Sequence, residues 1–255
     1  MRIIISPAKK MHTDTDSLRW QTLPQFLPEA ECLHQCLRQM RPDALQKLWK
    51  CNDRIAALNI NRLETMDLRQ NLTPAILAYE VIQYQYMAPN VFTEAEFAYI
   101  QEHLRILSGF YGVLRPFDGI TPYRLEMQAK LAAAGEEDLY AFWNNRLANN
   151  IFAETNCVLN LASKEYSLCI SRHLPEGARF ITCVFGEEQG EKIVEKGTLC
   201  KMARGEMVRW LAEQQIKEPE AITEFCRLGY RYEPHRSDAS TYVFVRREEP
   251  VCEPE

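Results

Sequence analysis

The chain is expected to fold as α/β with α+β character, a single compact domain in which helices flank a mixed β-sheet, and three features predict it. Short β-branched runs alternate with amphipathic stretches of helical period, the pattern of proteins that cover a sheet with helices. Two β-rich runs, Arg179 to Phe185 and Lys192 to Cys200, are separated only by residues 186–191 and read as an antiparallel hairpin, so the sheet is mixed rather than purely parallel. No internal repeat or linker interrupts residues 1–247, which predicts one domain there and an acidic, frayed tail at 248–255.

At 255 residues, with 46% apolar and 25% charged, the chain is long enough to bury a core and has neither a disordered nor a fibrous composition. Its nine cysteines are odd in number and without C-x-x-C spacing, which fits a reducing compartment and predicts reduced, mostly buried thiols. The stretch from Met1 to Pro7 is too short for a signal peptide, and no apolar run approaches the roughly 18 residues of a membrane span. A cytoplasmic monomer with no membrane partner is expected. A net charge of −5 excludes coating nucleic acid through the whole surface, so any such contact must come from a local basic groove.

Arg2 to Ser6 holds three consecutive isoleucines stopped by Pro7, a short buried strand. Lys9 to Leu27 is polar and proline-punctuated, a loop. From Pro28, residues Cys32, Leu33, Cys36, Leu37 and Met40 recur at helical spacing, and Pro42 opens another helix with Leu45, Leu48 and Trp49 on one face. Ile55, Leu58, Leu63 and Met66 keep a helical period, whereas Ala75 to Tyr79 fits strand or helix. Thr93 and Glu96 form a capping box that starts a helix from about Glu94 to Leu107. Phe110 to Arg115 reads as strand, Leu139 to Glu154 as helix and Cys157 to Ala162 as a buried strand, followed by a helix capped by Ser163. Beyond the hairpin, Met202 to Ile216 and Pro219 to Leu228 read as helices, the second ended by Gly229, and Tyr242 to Val245 as the last strand.

Four segments carry candidate chemistry. Ser6-Pro7-Ala8-Lys9-Lys10 lies just beyond the first strand, where open α/β sheets place ligands; a solvated loop is the alternative. Gly109 and Gly112 would let backbone amides approach a phosphate, as in hairpins between two helices that grip DNA, with Arg105, Arg115 and Arg124 around them. A helix-ending glycine and a close-packing glycine account for the same pair. Asn160 to Tyr166 passes from a strand end into a helix N-terminus, favourable for an anion near Lys164 or simply capped. Lys201 and Arg204 share a helix face at i, i+3 and invite either an anionic partner or an ordinary salt bridge.

No metal site is expected, because His34 is turned by about 200° from Cys32 and Cys36 on their helix. No nucleophile elbow, P-loop or dinucleotide fingerprint is present, so no cofactor is predicted and no catalytic residue is assigned. Ser6, Lys9, Tyr123, Glu126, Ser163 and Glu165 nevertheless cluster at presumed strand ends, which keeps open an enzyme acting on a small anionic substrate.

In this order the segments resemble the YaaA family of peroxide stress proteins. The matching motifs are S-P-A-K at 6–9, L-R-x-L-S-G-x-Y-G-V-L-R-P at 104–116, P-Y-R-L-E-M at 122–127, L-Y-x-F-W at 139–143, N-L-A-S-x-E-Y at 160–166 and A-R-G-x-M at 203–207. The resemblance implies a positively charged cleft and a helix-hairpin-helix-like element that binds duplex or structured DNA with low sequence specificity. It also implies a role in limiting intracellular iron and oxidative damage during hydrogen peroxide stress. On it, the glycine hairpin falls on Ser108, Gly109, Tyr111 and Gly112, and the cleft charges on Lys9, Arg105, Arg115, Arg124, Lys164, Lys201 and Arg204. Two departures stand out: residues 80–86, E-V-I-Q-Y-Q-Y, lack the family's glycine, and Lys201-Met202 replaces a lysine pair. One cleft charge fewer implies weaker DNA affinity than in relatives.

Overall fold

A strand buried on both faces needs an apolar residue at every position, and Ile3, Ile4 and Ile5 meet that need: all three are fully buried at the middle of the main sheet. The computed structural model describes residues 1–247, so the expected fraying of 248–255 lies outside the described residues. Along the chain, β1 (Arg2–Ile5) is followed by α1 (Leu27–Arg38), α2 (Pro42–Trp49) and α3 (Asp53–Thr65). Next come β2 (Thr73–Pro74), α4 (Ala75–Ala78), α5 (Ile82–Met87) and α6 (Glu94–His103), then β3 (Leu104–Ser108), β4 (Gly112–Leu114) and β5 (Gly119–Ile120). Helices α7 (Leu139–Trp143) and α8 (Arg146–Phe152) precede β6 (Cys157–Asn160) and α9 (Lys164–Ser171). The last part holds β7 (Arg179–Gln189), β8 (Lys192–Val194), α10 (Gly197–Glu213), β9 (Tyr230–Tyr232) and β10 (Thr241–Arg246).

The main sheet runs β4-β3-β1-β6-β7-β10-β9, with β8 paired to β7, and β2 and β5 form a separate small ribbon. Strands β3, β1, β6, β7 and β10 are mutually parallel. Strands β4, β8 and β9 run antiparallel to their neighbours, so the sheet is mixed, as the hairpin predicts. The parallel set aligns the ends of β1 and β6 on one edge, which positions the site described below.

Several boundaries differ from the sequence expectation, each for a packing reason. The helix expected to reach Leu107 stops at His103, because residues from Leu104 pair with β1 in register, Ile3 with Leu104 and Ile5 with Ile106. Tertiary pairing overrides a helical period that Leu104 and Leu107 happen to continue. The helix expected from Leu139 to Glu154 is two, broken at Asn144, whose φ is 45°. Helix α10 begins at Gly197, before the expected Met202, and so shortens the second hairpin strand to β8. Pro219 to Glu224 forms only a 3₁₀ turn. The capping box is present: Thr93 Oγ1 accepts from the Glu96 amide, and the Glu96 carboxylate accepts from the Thr93 amide.

Of the cysteines, Cys32, Cys36, Cys51, Cys157, Cys169, Cys183 and Cys200 are free thiols, the last four buried. Cys226 is disulfide-bonded, which corrects the expectation that every cysteine is reduced. Among the described residues no group of three or more His, Cys, Asp or Glu is placed to hold a metal ion, and no helix is long and apolar enough to cross a membrane.

Candidate functional site

Beyond the ends of β1 and β6 the chain leaves the sheet, and polar residues gather where strand ends open a crevice. Ser6 follows β1 and Ser163 follows β6; the Ser163 amide donates to Ser6 Oγ at 2.8 Å, and Ser6 Oγ donates to Ser163 Oγ at 3.2 Å. Ser163 is the N-cap residue of α9 as expected, yet its hydroxyl makes no capping bond and joins the two strand ends instead. Tyr84 of α5 donates its hydroxyl to the Ser6 carbonyl at 3.0 Å, which fixes that helix against the same edge.

The crevice is a cleft of ≈ 340 Å³ whose charged lining consists of Lys9, Lys10, Arg124, Lys201 and Arg204 against Glu80, Glu126 and Glu165. Five cations against three carboxylates leave a surplus of positive charge in the lining, reduced to one when Glu195, just outside it, is set against Arg204. Glu126 lies 3.1 Å from Lys9 Nζ and 3.2 Å from Arg124 Nη2, and Arg124 Nη2 also donates to the Trp49 carbonyl at 3.3 Å. Arg204 reaches Glu195 only at 3.6 Å. Burial raises the pKa of the Glu165 carboxyl, and the neighbouring Glu126 charge adds to the rise, while the Gln128 amide, donating at 3.2 Å, opposes it. Tyr123 is pushed up to about 12 by burial and bonds through its hydroxyl to Tyr79 and Ser108, so it remains neutral at physiological pH.

Lys9, Arg124, Lys201 and Arg204, predicted from separate segments, all line this cleft. So do Ser6, Tyr123, Glu126, Ser163 and Glu165, which the sequence grouped with Lys9 as polar residues at strand ends. Lys164 is exposed in the first turn of α9 but is not part of the lining, although its neighbours Ser163 and Glu165 are. Sequence reasoning missed Gln83; nothing in residues 80–87 sets it apart from Gln85.

The glycine hairpin is elsewhere. Ser108, Gly109, Tyr111 and Gly112 are buried in the turn between β3 and β4, so the expected clamp between two helices is not formed there. Ser108 Oγ accepts from the Phe110 and Tyr111 amides, and Trp143 Nε1 donates to the Gly109 carbonyl at 3.0 Å. A Cβ on Gly109 would stand 2.7 Å from the Leu125 carbonyl oxygen. These glycines are buried and closely packed.

Arg105 and Arg115 also leave the predicted set, for a physical reason. As a residue of β3, Arg105 is 4% exposed, and it donates through Nε to Glu154 at 3.1 Å and through Nη1 to the Leu104 carbonyl at 2.7 Å. Arg115 pairs with the same Glu154 at 3.2 Å, and Arg2, at the start of β1, does so at 2.9 Å. Burial alone would raise the Glu154 pKa, but Arg2 and Arg105 outweigh it and hold the carboxylate below its usual range. The hollow beside this cluster is larger, ≈ 780 Å³, yet Arg2, Arg105 and Arg115 face Glu94, Glu102 and Glu154 there, so its charges cancel. The smaller cleft alone of the two keeps a charge surplus for an anion.

A mixed sheet whose parallel strand ends carry a cationic cleft defines the class, an α+β protein with its candidate site at the sheet edge. The profile of the family described as "Peroxide stress protein YaaA" matches residues 1–236. The chain is 51% identical to a UPF0246 protein of Agathobacter rectalis over 247 residues, covering 97% of this chain and 99% of the relative. It is 49% identical to a UPF0246 protein of Lachnoclostridium phytofermentans, covering 98% of each, and 50% identical to one of Pediococcus pentosaceus, covering 97% and 99%. The chain belongs to the YaaA family of peroxide stress proteins.

Proposed function

We propose that the protein acts in the cytoplasm during peroxide stress by engaging DNA through the cleft at the ends of β1 and β6, and so limits iron-dependent oxidative damage. The observation that carries this reading is the meeting of Lys9, Arg124, Lys201 and Arg204 from distant parts of the chain in one cleft with surplus positive charge. Lys9, Lys10 and Lys201 are exposed at its mouth and Lys164 stands beside it, so a duplex backbone can lie across them without entering. The helix-hairpin-helix-like element fits α2 and α3, which are joined by residues 50–52 with Lys50 in the left-handed region. Arg124 of the cleft lining donates to the Trp49 carbonyl at the end of α2, which ties that helix to the cleft.

Phosphate neutralisation sets the test. Binding to duplex DNA, followed by fluorescence anisotropy over a range of salt, is expected to be weak and sequence-independent, with a log–log slope of roughly −4 to −5 for four to six phosphate contacts. Lys201→Ala is expected to weaken all sequences alike and to reduce the slope by about one. A flat salt dependence, or no binding at low ionic strength, contradicts the reading.

A second reading, chemistry on a small anionic substrate, is favoured by one observation: Glu126 and Glu165 line the same cleft, and burial together with the Glu126 charge raises the Glu165 pKa. A carboxyl whose pKa is raised is better suited to proton transfer than an ordinary surface glutamate, which a DNA-binding groove does not require.

A further inference from the structure

Buried polar atoms in folded proteins almost always have hydrogen-bond partners, so a cluster of those without one calls for an explanation. Among the described residues seven buried side-chain nitrogen or oxygen atoms lack a partner, and four belong to the lining of this one cleft: Gln83 Nε2, Arg124 Nε, Glu126 Oε1 and Arg204 Nε. Gln83 is 4% exposed, and the Arg124 and Glu126 side chains are 10% exposed. The Arg204 side chain, 15% exposed, makes only the long ion pair to Glu195 among the described residues. Glu126 Oε1 lies at ion-pair distance from Lys9 and Arg124 without hydrogen-bond geometry to either. Both arginines are held at one end, by Trp49 and Glu126 or by Glu195, and the rest of each planar fork is uncommitted.

We infer that the cleft floor is a seat for a phosphomonoester of nucleotide size, whose anionic oxygens are held by Gln83, Arg124 and Arg204 and whose organic part gives an N–H or O–H to Glu126. Three features select this class. The unmatched atoms are of both signs, three donors and one acceptor, so a bare anion answers only part of the set. The three unmatched donors suit the three terminal oxygens of a phosphomonoester, which carries about −1.5 to −2 at neutral pH, better than the two of a phosphodiester. The volume of ≈ 340 Å³ falls at the small end of the usual range for ligand pockets, and Pro7, Ala8, Val81 and Leu125 supply apolar wall for a ring. The seat rests on the reading of this cleft as the anion site, though not on the lysines of its mouth.

The same chemistry is offered by a free nucleoside monophosphate and by the phosphorylated end of a DNA strand, and the test separates them. Titration of the wild-type protein with deoxyadenosine 5′-monophosphate, deoxyadenosine and inorganic phosphate is expected to show the nucleotide binding at least tenfold more tightly than either fragment. Arg204→Gln and Gln83→Met, each checked by thermal melting, are expected to weaken the nucleotide at least tenfold; should a variant not fold, the wild-type comparison decides. Linear duplexes with 5′-phosphate or 5′-hydroxyl ends then assign the source: a preference for phosphorylated ends names the strand terminus, and nucleotide binding without that preference names the free compound. The inference is overturned when the nucleotide binds no better than deoxyadenosine and phosphorylated ends no better than hydroxyl ends. Closed circular duplex isolates the mouth lysines. Its binding without nucleotide binding removes the seat and leaves the DNA reading, and the reverse result removes the DNA reading and leaves the seat.

Discussion

Gly205→Ala is expected to destabilise the protein by about 3 kcal/mol, the upper part of the range for overpacking a dense interior. The added methyl would lie 2.0 Å from the Gln83 carbonyl oxygen, 2.9 Å from the Gln83 carbonyl carbon and 3.1 Å from the Met87 amide nitrogen. All three are backbone atoms of α5, so no rotamer change relieves the clash and the two helices must separate. The consequence extends to the site, because α5 carries Gln83 and α10 carries Lys201 and Arg204. Denaturant unfolding of the variant measures the loss, and a change below about 1 kcal/mol contradicts the close approach of α5 and α10.

Glu154→Ala is expected to have a comparable effect, about 3 to 5 kcal/mol, because it leaves the buried Arg105 guanidinium without its counter-charge. Arg115→Ala, by contrast, is expected to cost less than about 1 kcal/mol: its side chain is 45% exposed, and Glu154 keeps Arg2 and Arg105. The sign of the pH dependence follows from the depressed Glu154 pKa. Its contribution is complete above the ordinary glutamate value of about 4.3 and is lost as pH falls through the lower folded value, so the acid limb of the wild-type stability curve is steeper than that of Glu154→Ala. Equal melting of the two proteins at neutral pH would remove Glu154 from this role.

Much of the architecture was legible because its signals are local. The Ile3–Ile5 run, the Thr93 capping box and the hairpin after Phe185 each follow from residue chemistry over a few positions. Leu104 to Leu107 was misread as helix because its pairing with β1 spans about a hundred residues of sequence, and no periodicity reports it. That one error displaced Arg105 from a buried strand to a presumed cleft. The glycine pair was ambiguous for a related reason, since a missing Cβ permits close approach by a ligand or by the chain itself, and here Leu125, Leu147 and Trp143 occupy the space. Lys9 was identified by its place beyond a strand end, Arg124 as a charge near the glycine pair, and Lys201 and Arg204 by their shared helix face. Gln83 escaped notice because an amide becomes informative only when its lack of a partner is seen.

The central claim is that the cleft at the ends of β1 and β6, and not the arginine cluster around Glu154, is where the protein meets an anionic partner. The most direct measurement compares duplex affinity and its salt slope for Lys9→Ala/Lys201→Ala with those for Arg115→Ala, all at the same ionic strengths. The cleft variant is expected to bind more weakly on every sequence with a slope reduced by about two, while Arg115→Ala keeps the wild-type affinity and slope. Weakened binding by Arg115→Ala with the cleft variant unchanged contradicts the account and moves the site to the opposite end of β1.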